Sequence, residues 1–231
     1  MKLLAIDSSA KVAAAAICAE DRILAETQLH TGLTHSQTLM PICKALLDNA
    51  GTTLAELDGF ALAAGPGSFT GLRIGMAAVK GMAFATGKPC YPVSTLEALA
   101  YNLSGFAGTL CPVMDARRGQ VYNALFAAAD SGPDRICEDR AISIEKLGQE
   151  LAARPGPIWL CGDGAELCFE RLREELSSVR LAPLALRYQK ASSVALAVFR
   201  RPEPVAAAAL MPSYLRLPQA ERERAERLAS K

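Results

Sequence analysis

A glycine-rich turn between two apolar segments constrains this sequence more than any other feature. One apolar run precedes it at 60–64 and another follows at 76–85; the turn itself has the sequence Gly65-Pro66-Gly67-Ser68-Phe69-Thr70-Gly71-Leu72-Arg73-Ile74-Gly75. This order predicts a buried strand, a tight turn and a helix. Because glycine lacks a Cβ and allows positive φ, another group can approach such a turn closely. The turn is therefore interpreted as a phosphate cradle or as a place where another backbone docks.

The spacing of the turn does not match the common phosphate-binding motifs. A Walker A loop ends in Gly-Lys-Ser/Thr, whereas this turn has Gly71-Leu72-Arg73, and its glycines also miss the dinucleotide-binding pattern. The free N–H groups at the start of the following helix still favour negative charge. An ordinary strand–helix turn and a weak nucleotide- or phosphate-binding turn both stay open; the second would use Gly65, Pro66, Gly67, Ser68 and Thr70.

Composition narrows the class of protein. A chain of 231 residues with 51% apolar residues can form one large domain or two small ones around a packed core. The net charge is +1, and the nearest approach to a basic cluster is Arg117-Arg118. This balance argues against a large nucleic-acid-binding surface. If RNA is involved, another subunit is expected to make most of the contact.

The cysteines and the N-terminus indicate an intracellular protein. The seven cysteines include no Cys-x-x-Cys pair and lie mostly in apolar runs, which favours buried, reduced thiols over disulfides or a zinc site. Asp7 interrupts the apolar stretch where a signal peptide would continue, and no run reaches membrane-spanning length. We therefore expect a cytoplasmic protein without a membrane association.

The first half of the chain predicts an α/β lobe. Strands are expected at 3–6, 12–18, 23–29, 60–64 and 90–93, with helices from Thr34 to Gly51, from the glycine turn to 86, and at 95–103. Ser94 or Thr95 is expected to cap the last of these helices. Thr34 and Gln37 have the spacing of a capping box, and Pro41 is expected to kink or weaken the first of these helices. The order β-β-β-α-β-α-β-α predicts a mixed sheet with helices on its faces.

The second half repeats this pattern loosely after a break at 104–108. Strands are expected at 110–114, 121–127, 136–142 and 158–161, and helices at 144–153, at 192–200 and from Gly162-Asp163-Gly164 to 176. Residues 212–216 are expected to form an edge strand or to cover the sheet, and 221–231 a charged tail. Asp7 and Asp115 occupy matching positions, so we predict lobes at 1–106 and 107–231 that are either related or two unrelated α/β units.

These motifs resemble a known family. A strand, an aspartate and a hairpin in each half resemble the RNase H-like lobes of the acetate/sugar kinase–Hsp70–actin superfamily. The bacterial TsaB (YeaZ) family is resembled more closely, through the glycine motif, Asp7-Ser8-Ser9, His35-Ser36 and Tyr214-Leu215-Arg216. The resemblance implies a role in threonylcarbamoylation of adenosine 37 in tRNAs that read codons beginning with A. It implies action beside the transferase TsaD, a catalytic paralogue, and the ATPase TsaE, with tRNA contacted through the complex.

One difference from the catalytic paralogue bears on chemistry. The resemblance implies that the paralogue holds a metal with a His-x-x-x-His pair, which places two imidazoles on one face of a helix. Here the pair is His35 and Leu39, and the remaining histidine, His30, is separated from the helix by Gly32. We therefore expect no metal site, no catalytic residue and no metallopeptidase activity, and a packed or hydrogen-bonded role for His35.

The aspartates leave a nucleotide-binding alternative. In nucleotide-using members of the superfamily, such aspartates hold Mg²⁺ and phosphates between the lobes. Here Asp7, Ser8, Ser9 and Asp115 would serve, but an aspartate that ends a strand is also an ordinary turn former, which we favour. We expect no tightly bound cofactor, and ATP or ADP only weakly or within the complex. The alternative is an ATP-dependent small-molecule kinase.

The helices at 35–50 and 69–86 are predicted to bind the partner. Small residues along the second helix, including Gly71 and Gly75, would let another helix approach closely, with a homodimer forming when the paralogue is absent. The same helices can also pack on their own sheet. Gly75→Leu is expected to abolish the complex and spare the fold, and Arg73 to bridge a partner carboxylate or cap local carbonyls. The predicted interface comprises His35, Leu39, Met40, Leu46, Leu47, Gly71, Arg73, Gly75, Met76, Val79 and Met82.

Overall fold

A computed structural model describes residues 1–130 and 132–216, so the predicted tail at 221–231 lies outside the described residues. The first sheet and its helices follow the predicted order. Their bounds are β1 (Lys2–Asp7), β2 (Ala13–Ala19), β3 (Arg22–Leu29), α1 (His35–Asn49), β4 (Gly59–Gly65), α2 (Phe69–Thr86), β5 (Cys90–Ser94) and α3 (Thr95–Tyr101).

The second half contains a second sheet and shorter helices. Its elements are β6 (Thr109–Arg117), β7 (Gln120–Asn123), β8 (Phe126–Ala127), β9 (Asp134–Arg135), β10 (Arg140–Ser143), α4 (Ile144–Ala152), β11 (Ile158–Cys161), α5 (Ala165–Leu172), β12 (Val179–Leu181), α6 (Leu184–Arg187) and α7 (Ala191–Arg200).

The two sheets have matching topology. The first has the strand order β3-β2-β1-β4-β5, and the main path of the second has the order β10-β7-β6-β11-β12. In each, the first three strands along the chain are antiparallel and the last two join in parallel. The two halves therefore share one strand order, and whether they are related stays a prediction.

The apolar run of β1 is continuous because both faces of the first sheet are covered. Leu4 and Ile6 pack with α1 and α2 on one face. Leu3 and Ala5 pack with α3 and α7 on the other face. All four side chains are fully buried, which places the end of β1, and therefore Asp7, deep in the molecule.

The chain returns to the first sheet after completing the second. Val194 and Val198 of α7 belong to the same core as β1, and Leu210 packs with α1 and α2. We expected everything after 107 to form the second lobe. Residues 191–210 instead complete the first, because the apolar face of α7 covers Leu3 and Ala5.

Helix α3 lies between the two sheets. Ala98 and Tyr101 face the core of the first lobe, whereas Leu96 and Leu99 pack with Leu110 and other residues of the second. Its N-terminus is capped as predicted, because the Ser94 hydroxyl accepts a hydrogen bond from the Glu97 N–H. One helix therefore contributes to the cores of both lobes.

Several local predictions were wrong. The Thr34 hydroxyl donates to the Gln37 side chain instead of accepting from the helix N-terminus, so no capping box forms. Helix α5 ends at Leu172 and not at 176, and residues 212–216 do not form the edge strand that was one of their two expected roles. Pro41 lies within α1, and a kink or weakening there stays a prediction. Of the weak strand expected at 136–142, the structure forms the last part, as β10 from Arg140, while the short β9 ends just before the expected range.

The cysteines are free thiols, and burial raises the pKa of Cys18 and Cys43 to about 12. Across the described ranges, no helix is both long and apolar enough to cross a bilayer.

Candidate functional site

The glycine turn packs against the turn that follows β1. A Cβ on Gly67 would overlap the Ser9 carbonyl, and a Cβ on Gly71 would overlap that of Ser8. The Ser68 N–H donates to the Ser9 carbonyl at 2.7 Å. Of the two interpretations left open, close backbone approach is therefore observed, and the approaching backbone belongs to the same chain.

Helix α2 begins on a capped turn. The Ser68 hydroxyl accepts from the Gly71 N–H at 3.3 Å, and the exposed Thr70 lies in the first helical turn. The buried Pro66 follows Gly65 through a cis peptide bond. The N–H groups of Ser68 and Gly71, which could otherwise bind a phosphate, are therefore already hydrogen-bonded within the chain.

Asp7 organises the turn after β1. Its Oδ1 accepts from the Ser9 N–H at 2.8 Å and from the Ser9 hydroxyl at 2.6 Å. Burial raises the pKa of Asp7 to about 6, although these hydrogen bonds act in the opposite direction. Its Oδ2 is buried without a hydrogen-bond partner in the described part of the chain. The geometry is that of an aspartate turn.

Asp115 plays the matching part in the second lobe. Its Oδ1 accepts from the Arg117 N–H at 2.7 Å, the same spacing of two residues as in the Asp7 turn. Its own N–H donates to Asp163 Oδ1 at 3.3 Å, and burial raises the pKa of Asp163. Asp163 was not predicted as a site residue, although its place in the repeated glycine turn at 162–164 was a usable signal.

These turns surround a cavity of about 310 Å³ between the lobes. Lys11 and Ser9 line it from the first lobe, and Asp115, Arg117 and Asp163 from the second. Both signs of charge are present, so the cavity is not a simple anion or cation site. The structure thus brings together the glycine turn, the residues after Asp7 and the Asp115 turn.

Residues 213–216, here called the C-terminal strap, form one wall of the cavity. The Ser213 N–H donates to the Ala64 carbonyl at 2.8 Å, and the Tyr214 ring packs on Phe69 with centroids 4.9 Å apart. The Arg216 guanidinium donates to the Ala116 carbonyl at 2.7 Å. The strap was anticipated as a cover for the sheet, but its position in the cleft was not.

Arg73 contacts this strap. Its guanidinium lies over the Phe69 ring, 3.8 Å from the centroid, and its Nε donates to the Tyr214 hydroxyl at 3.1 Å. Neither role considered for Arg73, a partner carboxylate or a local carbonyl, describes these contacts. In the isolated chain Arg73 holds the strap to α2.

Most of the predicted interface is buried in the chain's own core. On α1 and α2, the buried members cover the sheet and cannot touch a partner directly; they are Leu39, Leu46, Gly71, Gly75, Met76, Val79 and Met82. Met40 and Arg73 are exposed, while His35 and Leu47 are half-buried. The helical periodicity was correct, but it identified the inward face.

Gly75 shows why this face is closed. A Cβ there would overlap the Ser8 hydroxyl and lie 3.1 Å from Leu62 Cδ1. The expectation that Gly75→Leu spares the fold is therefore wrong. The outward face of α2 contains Ala77, Gly81 and Phe84 instead, and a Cβ on Gly81 would meet nothing within 4 Å.

His35 begins α1 in a hydrogen-bonded position. Its Nε2 donates to the Ala10 carbonyl at 2.7 Å, since a carbonyl can only accept, while its buried Nδ1 has no hydrogen-bond partner among the residues that the structure describes. Leu39, one turn later, is buried in the core. Within residues 1–130 and 132–216, no group of three metal-ligating side chains comes together.

Comparison with known structures supports the two-lobed fold. YeaZ from Pseudomonas aeruginosa superposes with a TM-score of 0.78 at 27% identity, covering 93% of this chain and 99% of that one. Component A of (R)-2-hydroxyglutaryl-CoA dehydratase from Acidaminococcus fermentans superposes with a TM-score of 0.50 at 12% identity, covering 90% of this chain and 99% of that one. The latter likeness concerns the fold alone.

Sequence comparison identifies the family. The family model for TsaD, tRNA N6-adenosine threonylcarbamoyltransferase, matches residues 29–222. The tRNA threonylcarbamoyladenosine biosynthesis protein TsaB of Bacillus subtilis is 30% identical over 221 residues, 96% of each chain. Its namesake from Escherichia coli is 33% identical over 163 residues, 69% of this chain and 70% of that one. The chain therefore belongs to the TsaB (YeaZ) family of tRNA threonylcarbamoyladenosine biosynthesis proteins.

Proposed function

We propose that this chain is a non-catalytic subunit required for threonylcarbamoylation of adenosine 37 in tRNA. It acts as a scaffold or activator of the transferase TsaD, together with the ATPase TsaE. The observation that carries the proposal is the helix position one turn after His35, where the buried Leu39 replaces a second imidazole. A single imidazole, whose Nε2 is already hydrogen-bonded to the Ala10 carbonyl, provides too few ligands for a catalytic metal site.

The outward faces of α1 and α2 are the proposed contact surface for the paralogue. Phe84 is 66% exposed and Met40 is 47% exposed, although both are large apolar side chains. On the Phe84 side of α2, the exposed Ala77 and Gly81 leave the helix backbone open to close approach. Large apolar anchors beside small residues suit helix packing. The same surface would form a homodimer when the paralogue is absent.

The cleft favours a supporting role over a kinase. Oδ1 of Asp7 and Oδ1 of Asp115 both accept hydrogen bonds from the turns that follow them. Oδ2 of Asp115 also pairs with the Arg117 guanidinium at 3.5 Å. The glycine turn contacts Ser9 and the strap in addition. These contacts support weak nucleotide binding at most, with the tRNA contacted through the complex.

Reconstitution tests the proposal. Purified TsaD and TsaE are combined with tRNA, ATP and the threonylcarbamoyl precursors, with and without this chain, and modified adenosine is measured by mass spectrometry. We expect modification only when the chain is added, and none from the chain alone. Equal modification without the chain, or modification by the chain alone, would reject the proposal.

A further inference from the structure

The carbonyl that Arg216 reaches belongs to an irregularity in the second sheet. Strands β6 and β7 pair Asp115 with Val121 and then Arg117 with Gln120, so Ala116 is an extra residue in β6. An extra residue of this kind is left out of the strand ladder. The Ala116 carbonyl accepts from the Arg216 guanidinium at 2.7 Å.

The hairpin that follows has an uncommon backbone. Arg117 and Arg118 have φ values of 67° and 56°, in the left-handed region that residues other than glycine seldom adopt. Such conformations persist where the surrounding structure requires them. Here they turn the chain directly after Ala116, at the margin of the cavity, and so help to set the position of its carbonyl.

The strap is held unequally by the two lobes. On the first lobe, Ser213 bonds Ala64, and Tyr214 packs on Phe69 and accepts from Arg73. The Ser213 carbonyl also occupies the space that a Cβ on Gly65 would fill. On the second lobe, the hydrogen bond that joins the strap to residues 109–187, as far as residues 1–130 and 132–216 show, runs from Arg216 to the Ala116 carbonyl. The first-lobe end is therefore an anchor, and the second-lobe end can release alone.

We propose that the C-terminal strap is an intramolecular latch that limits separation of the two lobes and thereby access to the cavity between them. Opening breaks the bond between Arg216 and Ala116 while the strap stays on α2. Asp7 of the first lobe and Asp163 of the second repel each other electrostatically across the same region, which disfavours the closed arrangement that the strap stabilises. The latch follows from this chain alone and does not depend on the proposed function.

Spin-label distance measurement on the full chain tests the latch. Labels are placed at Asp21→Cys in the first lobe and Glu174→Cys in the second, both exposed, in a Cys137→Ser background. The other native cysteines are buried. Labelled protein is diluted with unlabelled protein so that intermolecular pairs do not contribute.

In Arg216→Ala, the fraction of molecules with a long distance between the two labels should rise relative to the fraction with a short distance. The ratio is expected to increase about fivefold or more, because a charged hydrogen bond is lost. Tyr214→Ala, which weakens the anchor, is expected to shift the ratio in the same direction. Arg154→Ala is the control, because Arg154 is also half-buried but pairs with Glu150 inside the second lobe, at 3.8 Å.

Two results would overturn the latch. One is a distance distribution in Arg216→Ala that matches both the parent protein and Arg154→Ala. The other is a broad distribution with loss of the cooperative urea transition, because Arg216 would then support the fold of a lobe and not the separation between lobes.

Discussion

Gly75 and Gly81 lie on the same helix, and replacing each with alanine should change stability in opposite directions. Both are interior positions of α2, so both substitutions gain from the higher helix propensity of alanine. At Gly81 the new methyl group would meet nothing within 4 Å. At Gly75 it would overlap the hydroxyl of Ser8, which cannot turn away without losing its 2.9 Å bond to the Gly71 carbonyl.

The magnitudes follow from these contacts. Glycine in a helix interior costs about 0.5–1 kcal/mol relative to alanine, so Gly81→Ala should stabilise the protein by about that amount. Overpacking a buried site costs about 1–3 kcal/mol, which exceeds the propensity gain at Gly75. Gly75→Ala should therefore destabilise by about 0.5–2 kcal/mol, and Gly75→Leu by more.

Urea denaturation followed by circular dichroism measures both variants against the parent protein. In thermal unfolding, each kcal/mol corresponds to a shift of about 2–4 °C for a chain of this size. If both alanine variants were stabilised alike, the close contact between α2 and the turn after β1 would be refuted. If both were destabilised alike, Gly81 would not be open on its outer side.

Three further outcomes are expected. Burial raises the pKa of Asp7 from 3.8 to about 6, so the stability it contributes is present below pH 4 and is lost as the pH rises through 6. Asp7→Asn, which keeps an acceptor for Ser9, should therefore stabilise the protein by about 1–3 kcal/mol more at pH 7.5 than at pH 4 in urea titrations, and a pH-independent difference would contradict this. Phe84→Ala should weaken binding to the paralogue at least tenfold in calorimetry, as an interface anchor would, whereas Leu184→Ala, at 70% exposure, should not; equal effects would move the interface elsewhere. Calorimetry with Mg-ATP should detect only millimolar binding and no turnover by the isolated chain, and micromolar binding with turnover lost in Asp7→Ala would favour the kinase alternative.

The sequence predicted the topology well because apolar periodicity and turn-forming residues are local signals. The run in β1 is apolar throughout because both faces are covered, and glycine turns mark both strand–helix junctions. Ser94 was also correct as a cap, since its bond to Glu97 spans three residues. The capping box predicted at Thr34 was wrong, because the Thr34 hydroxyl donates to the Gln37 side chain instead of accepting from a backbone N–H.

The site was harder to predict because it depends on contacts between distant parts of the chain. Gly75 contacts Ser8, and Arg73 contacts Tyr214, although the two residues of each pair are far apart in the sequence. A local sequence pattern cannot predict such contacts. Periodicity can find the apolar stripe of a helix but cannot say whether the stripe faces its own sheet or another protein. Leu39 was informative from the sequence alone. It stands four residues after His35, where a second metal-binding histidine would be needed on the same helix face.

Because α7 belongs to the core of the first lobe, about nine-tenths of the chain must be synthesised before that core can be completed. Until α7 has been synthesised, Leu3 and Ala5 lack its cover, and this apolar surface can associate with other nascent chains. Ending the chain after residue 106 should accordingly yield an aggregating fragment, because α7 would be missing from its core.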